Sequence, residues 1–429
     1  MTGNGILEPG AAAGGKRGPA RTVGDAAVIL SGSIGKGHDS VAEACQDALG
    51  SVGVAADVLD CMSMLGGAGA RLGTGAFRRM ISVPALYDAF HFGHLRSGTW
   101  VPRTLERAAL RQVLPGVREA VDRAGERPIV VSVFPTGVSA AGAVKKERPD
   151  LTTVAVCTDA SAHRMWVADG TDLYVVCSPM TALTVRRYVP DASIAVVPPP
   201  VRPPFYDAPS KSSARAALGI PRDAPCILLM AGGWGLGPLG ETADALGSAG
   251  YWVLAVAGMN RRLHGRLRAV AERSRRVRAF GMTDRVPELM AAADAVVTSP
   301  GQTCHEARVV GRRLVLLDVV PGHGRENTLH ELEQGGALAC SPDAESVKAA
   351  VRVLLARQPA LAPWPVGSAA EWDTHFFEAL ESVGVDLRSA DSLRSADSLR
   401  AADSLRSADS HGNGAGPSIT PAREPFGAR

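Results

Sequence analysis

The residues with the clearest chemical potential lie where apolar runs end in glycine turns and the chain enters a helix. In Ser299-Pro300-Gly301-Gln302-Thr303-Cys304-His305-Glu306, the preceding Ala295-Val296-Val297 reads as a buried strand, and Pro300-Gly301 turns the chain at once. The helix expected next carries Cys304, Ala307 and Val310 at helical spacing, with Glu306 in its first turn. The free amides and macrodipole of such a helix start seat an anion such as a diphosphate, which makes Gly301, Gln302 and Thr303 candidate ligands. A carboxylate just behind that seat, Glu306, suits the paired hydroxyls of a ribose. Nearer the start of the chain, Ala26-Ala27-Val28-Ile29-Leu30 runs into SGSIGKGHDS, a tight loop with Gly35 and Gly37 that presents one imidazole, His38. Its glycines run GxxGxG, not GxGxxG, and Gly37 stands where a P-loop needs Ser or Thr after Lys36, so neither nucleotide fingerprint is met.

The elements that must hold these groups repeat one pattern: apolar strand, glycine turn, helix. It recurs at 128–136, ending in Thr136, and at 152–166, where Thr158, Asp159, His163 and Trp166 follow the strand. It restarts at Cys226-Ile227-Leu228-Leu229-Met230 into AGGWGLG, where Gly232, Gly233 and Gly235 would let backbone amides approach a phosphate. Alternation of this kind predicts an α/β, doubly wound fold whose ligands bind at the carboxyl ends of the strands. After the turn 31–40 a helix is expected with Val41, Ala44, Cys45, Ala48 and Leu49 on one face, capped by Asp39 or Ser40. Each lone candidate also has a structural reading: His38 packing on its helix, Asp159 capping the next turn, Trp166 in the core.

The 429 residues, 46% hydrophobic, suffice for two domains. The boundaries expected are 1–22 for a disordered Gly/Ala/Pro-rich start, 23–200 and 201–366 for the two domains, and 367–386 for a closing amphipathic helix. VPPPVRPPF, 197–205, reads as the hinge between the domains, and 387–429 as a polar tail whose LRSADS unit fits no heptad. A net charge of +3 offers no footprint for nucleic acid, and seven scattered cysteines without a CxxC pair argue against a zinc site and for a reducing cytoplasm. No apolar run reaches the roughly 18–20 residues that span a bilayer. The stretch 77–100 mixes Arg78 and Arg79 with Phe77, Met80, Tyr87, Phe90 and Phe92. It reads as an ordinary helix pair covering the sheet or as a peripheral membrane contact, the first at least as well as the second.

In that order, a glycine–His loop, TD…H…W, a Pro-rich hinge, GGWGLG, GMN, PGQTCHEA and a Gly-rich turn ending in Asn resemble the monogalactosyldiacylglycerol synthase-like enzymes. These in turn resemble the lipid II N-acetylglucosaminyltransferase of wall synthesis. The resemblance covers roughly residues 25 to 385 and implies the GT-B architecture, two Rossmann-like domains facing a cleft. It implies His38 as the catalytic base, a role that an imidazole with pKa of roughly 6.5 can fill near neutral pH. Asp159 would assist it, and Gly35, Gly37, Thr136, His163 and Trp166 would line the acceptor side. On the donor side it implies Gly232, Gly233, Trp234, Asn260, Gly301, Gln302, Thr303 and Glu306, with backbone of Gly281 and Met282 reading the uracil edge. His323 and Asn327 would approach the sugar. The turn Pro321-Gly322-His323-Gly324-Arg325-Glu326-Asn327 departs from the family's Gly-Gln-Glu: His323 replaces Gln, Gly324 replaces Glu, and Glu326 is displaced by two.

The function implied is inverting transfer of a hexose-type sugar from a UDP-sugar to an acceptor hydroxyl, on a lipid such as diacylglycerol or on a small natural product. The protein would be cytoplasmic or peripheral on the membrane's inner face. The chain contains no Asp-x-Asp metal seat, so no cofactor and no metal are expected, helix amides taking the cation's place. A UDP-sugar 2-epimerase of the same architecture and a non-catalytic nucleotide-sugar-binding protein are the rival readings.

Overall fold

A computed structural model describes residues 21–22, 26–33, 36–65, 88, 91–95, 100–230, 232, 235, 237–356 and 366–387. In the first half the strands are β1 (Arg21–Thr22), β2 (Ala26–Ser31), β3 (Ala55–Asp60), β4 (Ile129–Ser132), β5 (Thr152–Cys157), β6 (Leu173–Val176) and β7 (Ile194–Val196). In the second they are β8 (Cys226–Met230), β9 (Trp252–Val256), β10 (Val277–Phe280), β11 (Ala295–Thr298), β12 (Arg313–Leu317) and β13 (Ala337–Cys340). A last short strand, β14 (Val385–Asp386), pairs with β1.

Two six-stranded parallel sheets result, ordered β3-β2-β4-β5-β6-β7 and β10-β9-β8-β11-β12-β13. Parallel strands must be covered on both faces, and the apolar runs seen in sequence meet that need. In β8, Cys226, Leu228 and Met230 enter one core while Ile227 and Leu229 enter the other. Both strand orders reverse once, between β2 and β4 in the first sheet and between β8 and β11 in the second. Such reversals open a crevice at the strand ends, the place where doubly wound sheets receive ligands.

The two halves are tied at their backs. The last helix, Ala369–Ser382, packs on the first sheet, its Trp372, Phe376 and Leu380 joining Ile29, Val131 and Val154. Trp372 stacks on Phe376 at 5.0 Å, and its indole N–H donates to the carbonyl of Pro198 in the hinge (2.9 Å). Most of the stretch 77–100 and all of 388–429 lie outside the described residues. Among the described residues no helix is long and apolar enough to cross a membrane.

Candidate active site

The helix after β2 begins at Gly37, earlier than the sequence reading placed it, so Asp39 lies inside its first turn and caps nothing. The Asp39 carboxylate instead accepts from the Ser31 hydroxyl (3.2 Å) and from Lys36 Nζ (3.1 Å), tying the first turn of the helix, which carries His38, to the end of β2. His38 stands at the reversal of the first sheet. Its Nδ1 lies 2.8 Å from the carbonyl oxygen of Val133, just past β4. A carbonyl only accepts, so Nδ1 carries the hydrogen and the lone pair is left on Nε2. The ring meets Phe134 edge-on at 5.1 Å. Burial lowers the His38 pKa below its ordinary value, with Asp159, the Val133 hydrogen bond and Asp39 opposing. The imidazole is therefore neutral near pH 7, the form a base requires.

Asp159 follows β5 but does not orient that ring. Its Oδ2 accepts from the indole N–H of Trp166 (2.7 Å) and lies 3.7 Å from His163 Nε2. Burial opposes its charge, yet His323, His163, the Trp166 hydrogen bond and His38 together outweigh burial and lower its pKa. Asp159 acts on His38 through its field; Val133 sets the direction. Trp166 is fully buried, in keeping with the core reading, and His163 is buried with its pKa pushed by desolvation to about 4. Thr136 is half-buried at the start of the helix Pro135–Glu147, and Gly35 lies outside the described residues.

In the second half, Gly301 caps the helix Gln302–Val309 with φ 149° and ψ −157°, backbone that only glycine adopts readily, and open space surrounds it. Thr303 follows it, buried. The Gln302 side-chain amide is engaged by the protein itself, donating to the carbonyl of Pro200 (2.6 Å). Because the helix begins at Gln302, Glu306 is its fifth residue and falls just past the first turn expected for it. Glu306 is 6% exposed, and burial raises its pKa to about 8, with Arg202 lowering and Glu43 raising it. Those two residues pair across the halves at 3.3 Å, and Glu306 lies buried within reach of their charges.

The loop after β8 holds Gly232 (φ 61°), Gly235 (φ 58°) and Gly237 (φ 91°) in left-handed backbone, while Gly233 and Trp234 lie outside the described residues. Asn260 caps its own helix, its Oδ1 accepting from Leu263 N–H (3.0 Å). Gly281 lies against His264, and Met282 is exposed at the end of β10. Burial lowers the pKa of His323, which opens the helix His323–Glu333. Asn327 reaches across the cleft, its Oδ1 accepting from Ala160 N–H (2.9 Å).

The two sets meet. A Cβ built on Gly37 would lie 3.7 Å from that of Gln302, so the starts of two helices from opposite sheets converge on one spot. Each start carries roughly half a positive charge and amides without partners inside the helix, so an anion in the space adjoining their contact would be favoured. A small cavity beside this point is lined by Thr158, Cys157, Cys177, Gln302 and His305. Sequence reasoning missed several participants: the Val133 carbonyl, Arg202, His91, and the buried Arg308–Glu331 pair (2.7 Å) that links the helices of Gln302 and His323. None has a local spacing signal, because each acts through a partner 20 or more positions away.

Two facing parallel sheets, each with its reversal opening on a shared cleft, define the GT-B fold. The rice protein Os79, solved with U2F and trichothecene, aligns with a TM-score of 0.53 at 13% identity, covering 87% of this chain and 99% of that one. A protein of Listeria monocytogenes assigned as a UDP-N-acetylglucosamine 2-epimerase aligns at 0.54 and 13%, covering 83% and 96%. By sequence the chain resembles the monogalactosyldiacylglycerol synthases. It is 31% identical over 193 residues to the chloroplastic enzyme of Spinacia oleracea, covering 42% of this chain and 37% of that one. It is 27% identical over 209 residues to the processive diacylglycerol beta-glucosyltransferase of Bacillus licheniformis, covering 47% and 54%. The chain thus matches about half or less of these relatives' length. No protein-family model matches it.

Proposed function

We propose that the chain is an inverting glycosyltransferase that moves a hexose from a UDP-sugar to the hydroxyl of an acceptor, a lipid such as diacylglycerol or a small natural product. The observation that carries this reading is the convergence of Gly37 and Gln302, two helix starts beside one neutral imidazole. The diphosphate would lie against the amides of Gly301 to Thr303 with the Gly232 loop opposite, and the ribose hydroxyls would donate to Glu306. His38 Nε2 would take the acceptor's proton as that oxygen attacks the anomeric carbon on the face away from the diphosphate. The bond to the diphosphate breaks in the same step, and UDP leaves with its charge received by the helix amides, a form of electrostatic stabilisation that needs no cation. The named relatives support a lipid acceptor.

The test is a pair of variants assayed with UDP-galactose and UDP-glucose, with and without diacylglycerol vesicles. His38→Ala should bind UDP like the wild type and lose turnover by about 100-fold or more, the scale of general-base catalysis. Glu306→Ala should lose UDP affinity. Full activity in both variants defeats the assignment, and conversion of a UDP-sugar to its epimer without acceptor would place the chain among the epimerases instead.

A further inference from the structure

The turn 321–327 departs from the Gly-Gln-Glu that the resemblance implies, and the fold supplies partners for several of its residues. Four of its residues are held from the first half. Asp88 accepts from Gly322 N–H through Oδ1 (2.7 Å) and pairs through Oδ2 with Arg325 (2.7 Å). His91 Nε2 lies 3.1 Å from Glu326 Oε2, and Ala160 N–H donates to Asn327. Arg325 also lies 3.6 Å from Asp318 of its own half, so its charge is balanced by one acid from each side.

His91 is 0% exposed. Its ring stands 6.0 Å from that of His163 and 6.1 Å from that of His323. It therefore lies between His163 of the first half and His323 at the start of the helix His323–Glu333, to which the donor-site reading assigns the sugar. The Glu326 side chain keeps 15% exposure while the buried ring lies 3.1 Å from its Oε2. A carboxylate held at one oxygen has its direction fixed, and direction is what distinguishes an axial from an equatorial hydroxyl.

We propose that His91 is a positioning residue for recognition of the donor's sugar. From the first half it holds Glu326, and with Asp88 it holds the turn 321–327, in the orientation that meets the sugar's hydroxyls. Sugar recognition then requires the two halves to be closed, because the residue that aims the carboxylate belongs to the opposite domain. This rests on the donor-site reading above. The nucleotide's phosphates and ribose are assigned to a separate helix, Gln302–Val309, so His91 affects the sugar and leaves UDP alone.

The test titrates wild type, His91→Ala and His91→Gln with UDP, UDP-galactose, UDP-glucose and UDP-N-acetylglucosamine. The quantity read is the ratio of the Kd for UDP to the Kd for the preferred UDP-sugar. Expected in His91→Ala is an unchanged UDP affinity, within about twofold, and a ratio reduced about tenfold, the scale of one hydrogen bond to a charged group. His91→Gln, whose amide donates from nearly the place of Nε2, should restore the ratio. A wild-type ratio in His91→Ala with UDP binding intact overturns the proposal, as does a wild type that binds all three sugars no better than UDP. Equal loss of UDP and UDP-sugar binding in both variants also overturns it, since the ring is then only a support of the fold. Glu306→Ala separates the two layers: if that variant keeps its UDP affinity, the donor assignment fails whatever His91 does.

Discussion

Glu306 gives the sharpest test because the fold asks two opposed things of it. Its carboxyl is buried, and burial lifts its pKa from 4.5 to about 8. A group whose folded pKa is raised costs nothing below its unfolded pKa and progressively destabilises the fold as pH rises toward the folded value. With 1.36 kcal/mol per pKa unit, the cost is about 1 kcal/mol at pH 5 and about 4 kcal/mol at pH 8, an upper figure because water entering the cleft would reduce it. Glu306→Gln removes that ionisation while keeping the shape. The variant should therefore melt above the wild type, with a gap that widens from pH 5 to pH 8 and is flat above. The same substitution should weaken UDP binding by about 10- to 100-fold, the loss of hydrogen bonds to a charged acceptor. In the wild type, ribose hydroxyls favour the ionised form, so UDP affinity should increase as pH rises through about 8 and binding should release a proton. Differential scanning calorimetry across that range, with titration calorimetry in two buffers of different ionisation enthalpy, reads both effects. A melting gap that narrows with pH refutes the burial reasoning, and unchanged UDP affinity refutes the ribose assignment.

Three further outcomes are expected. Gly301→Ala meets no steric obstacle but forces an alanine into backbone at φ 149°, a strain of about 1–3 kcal/mol; UDP affinity should drop about tenfold or more in a fluorescence titration while far-UV circular dichroism is retained. The lowered pKa of His38 keeps the base neutral below the ordinary 6.5, so the acid limb of kcat against pH, taken at saturating UDP-sugar so that ionisation of Glu306 in the free enzyme does not enter, should fall only below that value; a limb at 7 or above counts against His38. Trp372→Ala removes a ring that is 2% exposed and its bond to the hinge, a loss of about 3–5 kcal/mol measurable by urea unfolding of the first domain; a change under 1 kcal/mol would mean the last helix does not brace that domain.

Much of the scaffold was legible in the order of residues. Runs such as Cys226–Met230 and Ala26–Leu30 are apolar at every position, as suits a strand covered on both faces, and Pro300-Gly301 marks a strand end. Those are local signals, and local chemistry alone determines them. The same holds for His38 as an imidazole on a glycine loop and Gly301 as a helix start. Local pattern erred where a boundary decided the role: Asp39 was three positions from the cap, and Glu306 lies just past the first turn.

What the tertiary structure decided were the relations between distant positions. Val133, 95 residues along, tells His38 which nitrogen carries its hydrogen. Trp166 takes the Asp159 carboxylate that the sequence left free to orient the base. His91, 235 residues from Glu326 and unmarked by any spacing, becomes its partner only because two separately folded sheets close on one another. Strands and turns follow from the period of side chains along one stretch of chain, whereas a protonation state or a held carboxylate depends on which groups meet in space.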